Sequence, residues 1–110
     1  MFPKEFSENL DKYKFTEPIY VNLGVEQIGI DVYCGEAKYG YIVSKGKISQ
    51  EDITFVGLEN AETITINNID FFVFDFGNLI LVMFEHNDFC YDITSSCPYE
   101  DMIKIIESIK

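Results

Sequence analysis

A chain of 110 residues, 47% hydrophobic and 15% aromatic, is long enough to bury a core of its own, and that composition argues against intrinsic disorder. Nineteen acidic residues stand against eight lysines and no arginine, a net charge of −11. Such a field repels phosphate backbones, and without guanidinium there is no bidentate phosphate clamp, so direct nucleic-acid and anionic-membrane binding are disfavoured.

In chain order, the first signal is "KEFSENLDKYK", residues 4–14, where Phe6, Leu10 and Tyr13 fall at helical spacing. This predicts a short amphipathic helix ended by Pro18. The opening "MFPKEFSENL" has neither the basic n-region nor the apolar h-region of a signal peptide, and no apolar run reaches the ~18 residues of a membrane span. The expected location is cytoplasmic for a full-length chain and extracytoplasmic for a domain excised from a larger protein.

"PIYVNL" and "IGIDVYC" read as strands, and "YGYIVSK" follows a turn region from Gly35 to Lys38. The segment "GKISQEDITFVGLENA" reads as a connector holding two short strands or turns. From Glu62 the pattern sharpens. Three two-residue loops, Asn67-Asn68, Gly77-Asn78 and Asn87-Asp88, define a four-stranded meander.

Pairing across those loops sets Ile66 opposite Ile69, Ile64 opposite Phe71, Phe71 opposite Phe84, Val73 opposite Val82, Phe84 opposite Tyr91 and Val82 opposite Ile93, all on one face. The other face carries threonines and acids at its flanks and Phe72, Phe74, Phe76, Leu79, Leu81 and Met83 at its centre. A half-buried antiparallel strand should alternate apolar with polar, so a greasy second face needs a cover. These six residues are the candidate partner-binding surface, to be hidden by a protein partner, by self-association, or in part by the N-terminal segment.

"SSCPYEDMIKIIESIK" closes the chain as a helix with Ser96 or Cys97 at the cap, Pro98 in the first turn, and Glu100 and Asp101 near the positive end of the dipole. Met102, Ile105, Ile106 and Ile109 form one stripe, whose natural partner is the fully apolar face of the meander. The expected fold is therefore a single α+β domain over residues 1–110, an antiparallel β-meander sheet packed on one face by a C-terminal helix, with a short N-terminal helix.

Catalytic signals are faint. Cys34, Cys90 and Cys97 are odd in number and lack CxxC spacing, which argues against a zinc site. Cys34 and Cys90 read as strand residues. Cys97 at a helix start could be an activated thiolate, but nothing places the lone histidine, His86, beside it. Register sets Thr65, Asp70, Glu85 and Cys90 in one cross-strand row where a calcium ion could bridge the carboxylates, yet two carboxylates fall short of the about six to eight oxygens that ion takes. No catalytic residue, metal ligand or cofactor is assigned.

The pieces "ETITINNI", "MFEHNDFCYDI" and "YEDMIKIIESIK" resemble a domain family of unknown function found at the outward-facing C-terminal ends of Gram-positive membrane proteins, often behind anti-sigma-factor-like N-terminal parts. The chain departs from the family pattern at Phe84, where a tryptophan is usual, and at Asn87-Asp88, where the turn usually holds glycine. The resemblance carries over no established catalytic residues. Three functions follow as expectations: a non-catalytic interaction or sensing module, a small acidic inhibitor or decoy of phage type binding a basic protein surface, and a carboxylate-based metal or enzymatic domain.

Overall fold

A computed structural model describes residues 2–22, 26–46 and 61–109. In chain order these form α1 (Lys4–Ser7), β1 (Lys14–Phe15), β2 (Ile19–Asn22), β3 (Glu26–Cys34), β4 (Ala37–Lys45), β5 (Glu62–Ile66), β6 (Ile69–Asp75), β7 (Ile80–His86), β8 (Phe89–Ser95) and α2 (Tyr99–Glu107). The architecture is α+β, as the sequence predicts. The strands make one antiparallel sheet in the order β1-β3-β4-β8-β7-β6-β5, with β2 also pairing β3. The strand part of the predicted connector lies outside the described residues.

Local chemistry explains the turns. Asn67, Asn68, Asn87 and Asp88 all have positive φ, between 51° and 67°, the left-handed conformation that a two-residue hairpin loop demands and that Asn and Asp tolerate best. The third loop is wider than expected, since β6 ends at Asp75 and β7 begins at Ile80. Gly77 sits at φ 91° and donates its N–H to Asp75 Oδ1 at 2.8 Å, while Phe76 N–H donates to Leu79 O at 2.8 Å. That last bond continues the ladder, so the register survives the extra loop residues.

The observed pairs Ile66–Ile69, Ile64–Phe71, Val73–Val82, Phe84–Tyr91 and Val82–Ile93 match those derived from the loops. Phe71 and Phe84, predicted opposite each other, have ring centroids 4.7 Å apart. Beyond the meander, β4 pairs β8 along seven residue pairs from Tyr39–Ser95 to Lys45–Phe89. The β3–β4 hairpin therefore extends the sheet, and the described N-terminal strands border the second face instead of lying across it.

Both described helices lie on the first face. Met102, Ile105, Ile106 and Ile109 of the C-terminal segment are buried with Phe71, Val82, Phe84 and Ile93 of the sheet. Phe6 of α1 joins the same core, and Lys4 N–H donates to Ser108 O at 3.2 Å, tying the two ends of the chain together. Aromatic packing fills the rest: Phe84 and Tyr91 stack at 4.8 Å, and Phe6 meets Tyr13 edge-on at 5.0 Å.

Two further expectations need correction. The N-terminal helix spans only Lys4–Ser7, not residues 4–14, and Leu10 is 62% exposed. Asn9 breaks it: its side-chain amide donates to Glu5 O at 2.7 Å and its carbonyl accepts from Lys12 and Tyr13 N–H, the local competition that favours turn over helix. Phe6 and Tyr13 still reach the core through that turn. At α2, Pro98 and neither Ser96 nor Cys97 stands at the N-cap, without a side-chain cap bond. Ser95 organises the corner instead, accepting from Cys97 N–H at 3.0 Å and donating to Lys38 O at 2.7 Å.

Candidate functional site

The second face of the sheet carries the candidate surface. Phe72 opposes Met83 and Phe74 opposes Leu81, so these four share that face in the register expected of them. Their exposure is unequal. Met83 is buried, while Phe72, Phe74 and Leu81 are half-buried. Phe76 and Leu79, in the wide loop, are 50% and 41% exposed. Phe76 lies against Phe74, ring centroids 4.3 Å apart, so an aromatic pair leads from the face out to the loop. A central strand is shielded by neighbours on both sides; a loop residue has a neighbour on one side only.

What the sequence reading missed is a groove further along the same face, over β3, β4 and β8. It has a volume of about 480 Å³ and is lined by Ile19, Gly29, Gly40, Ile42, Leu79 and Thr94, with Asp31 and Lys38 in its wall. The volume lies within the ~300–1,000 Å³ typical of ligand clefts. Its walls mix apolar and polar groups, and two of the apolar ones are open to solvent: Ile19 is 64% and Ile42 38% exposed. Asp31 and Lys38 form an ion pair at 3.6 Å with both side chains partly in solvent, a geometry of small net worth to stability.

Its position follows from the register of the hairpin. Gly29 pairs with Ile42 and Gly40 with Asp31, so the two glycines lie diagonally adjacent and leave a stretch of backbone without side chains. On the Gly29 side, Thr16 closes the sheet edge, donating its N–H to Asp31 O and accepting from Asp31 N–H through Oγ1, each at 3.0 Å. Ile19 then returns the chain to β3 opposite Gly29. Leu79 is the point where this groove meets the predicted surface.

The remaining sequence candidates disperse. Thr65 Oγ1 donates to Asp70 Oδ1 at 2.6 Å, which supplies a local partner for that carboxylate. Among the described residues no three His, Cys, Asp or Glu side chains gather as a metal site. Cys34 and Cys90 are half-buried strand residues, whereas Cys97 is buried beside the Tyr39 hydroxyl. Burial first, then Cys97, pushes the Tyr39 hydroxyl well above its ordinary range.

Tyr99 shows the other cause of such a shift. Its hydroxyl donates to Glu62 Oε2 at 2.7 Å, linking the first turn of α2 to the edge strand β5. That bond, more than burial, raises its pKa to about 12.

Among the described residues no helix is long and apolar enough to cross a membrane. Comparison with curated proteins and with solved structures found no match. The profile of one family, described as a domain of unknown function, DUF4367, matches residues 3–109, nearly the whole chain, and the protein belongs to that family.

Proposed function

We propose that this domain is a non-catalytic interaction or sensing module that engages its partner through the second face of the sheet. The observation that carries the reading is the groove of about 480 Å³ opening between exposed Ile19, Ile42 and Leu79, on the face opposite the two described helices. Apolar side chains left in solvent beside a formed cleft are the usual mark of a binding surface. The sequence resemblance suggests the setting: a regulatory domain on the outward side of a membrane protein.

A photo-cross-linking amino acid placed at Leu79 or Ile42, compared with one at Glu107 on the exposed side of α2, tests this in cells that make the protein. Adducts concentrated at Leu79 and Ile42 support the reading. Equal yields at all positions, or a maximum at Glu107, would move the binding surface away from the groove.

A further inference from the structure

Glycine in the interior of a strand weakens it and often marks a place where another group approaches the backbone. The two glycines of the groove differ in this respect. A Cβ on Gly40 would lie 2.9 Å from Thr94 Oγ1, so packing against β8 accounts for glycine there. A Cβ on Gly29 would meet Ile42 Cγ1 at 3.7 Å and Tyr41 O at 3.9 Å, ordinary contacts. Gly29 is also not at positive φ. Neither crowding nor backbone conformation requires glycine at this position, and what a side chain would occupy is the floor of the groove.

The chemistry around that floor is one-sided. Among the described strand residues the register puts Asp31, Asp70, Glu85 and Asp92 on this face against Lys14 and Lys38, with Lys38 paired to Asp31 and Asp70 bonded to Thr65. The chain as a whole carries −11. Asp31 lines the groove with Lys38, Asp92 stands beside Ile42, and Asp70 and Glu85 lie further along the face; with the net charge of the chain, this face attracts cations and repels anions over the range of the field.

We infer that the groove takes a peptide segment in which apolar side chains are flanked by lysine or arginine, the apolar groups seated over Gly29 between Ile19 and Ile42 and the cations drawn by the negative field of this face. This rests on the proposed interaction role and names its partner's chemistry. Fluorescence anisotropy with the intact protein at physiological salt tests it, using a labelled short peptide that alternates lysine with leucine. Peptides alternating lysine with serine and glutamate with leucine serve as comparisons.

The lysine–leucine peptide should bind about ten-fold or more tightly than either comparison. Gly29→Val should weaken it about ten-fold without lowering the melting temperature, because valine fills the floor and suits a strand. Leu79→Ser, a change at an exposed loop position, is a second variant that should weaken binding and leave the fold intact. Equal binding of the lysine–serine peptide would reduce the effect to charge alone and overturn the inference. So would preference for the glutamate–leucine peptide, or unchanged affinity in both variants. Cross-links that gather at Leu79 and Ile42 while no peptide binds would sink this partner assignment and leave the interaction role standing.

Discussion

Replacing Ile106 with alanine isolates the contact between α2 and the sheet. The side chain is fully buried in the cluster that joins Met102 and Ile105 to Phe71, Val82 and Ile93. The substitution removes about three methylene equivalents, worth about 2.4 kcal/mol at ~0.8 each. A residual cavity adds to that, because the flanking strands are hydrogen-bonded on both sides and cannot collapse fully, while the better helix propensity of alanine returns a few tenths. The expected loss is about 3 kcal/mol, within the range of about 2–5 for such changes. With an unfolding entropy of about 0.23 kcal/mol/K for a chain of this length, the melting temperature should fall by about 13 °C. Urea denaturation followed by far-UV circular dichroism measures it, with Lys104→Ala on the exposed side of the same helix as the control, expected within about 0.5 kcal/mol of wild type. A loss below about 0.5 kcal/mol for Ile106→Ala with an unchanged m-value would place the helix outside the core and refute the packing described here.

Gly40→Ala should cost about 1–3 kcal/mol through its contact with Thr94 Oγ1, and Thr94→Ala in the same chain should recover much of that, giving a positive coupling in a double-mutant cycle read by urea melts. Simple additivity would show that the contact relaxes without cost. Tyr13, Tyr39, Tyr41 and Tyr91 have hydroxyl pKa values raised mainly by burial, and that of Tyr99 is raised to about 12 by its bond to Glu62. A folded pKa above the unfolded value near 10 contributes stability that is fully present below pH ~10 and is lost as pH rises through the folded value. Ionisation of Tyr13, Tyr39, Tyr41 and Tyr91, read by tyrosinate absorbance, should therefore accompany unfolding at high pH, and Glu62→Gln should bring Tyr99 down toward pH ~10 while the fold persists. Five tyrosines titrating independently near pH 10 in a folded chain would contradict the burial. Among the thiols, Cys34 and Cys90 should react with a soluble disulfide reagent before Cys97, whose labelling should follow global unfolding in urea; equal rates for all three would contradict the buried position of Cys97.

The second half of the fold is legible in the sequence because turn chemistry and register are the same statement there. Asn67-Asn68 and Asn87-Asp88 supply the paired left-handed residues of tight hairpins, and once the turn is placed every cross-strand pair follows from counting. Gly77-Asn78 gives the correct register although the loop is wider, since Phe76 and Leu79 still exchange a ladder bond across it. The N-terminal helix is misread for the opposite reason. Phe6, Leu10 and Tyr13 have helical spacing, but periodicity records only which residues share a face, and a turn at Asn9 brings Phe6 and Tyr13 together as well as a helix would.

The surface is half legible on the same grounds. Alternation assigns Phe72, Phe74, Leu81 and Met83 to the second face, but exposure changes along a strand too: Met83 is buried, Leu81 two residues earlier in β7 is half-buried, and Leu79 in the loop before it is exposed. The groove is harder still to see in the sequence. Its floor joins Gly29 and Gly40 across a hairpin, and the meaning of Gly40 depends on Thr94, a residue more than fifty positions away that only the β4–β8 pairing brings alongside. The available signal was a glycine inside each of two strand patterns, "IGIDV" and "YGYIV", which by itself means weaker packing or a close approach. Deciding between those needs the distances a Cβ would have. At Gly40 they point to internal packing, and at Gly29, where a side chain would fit, they point to space kept clear above the sheet.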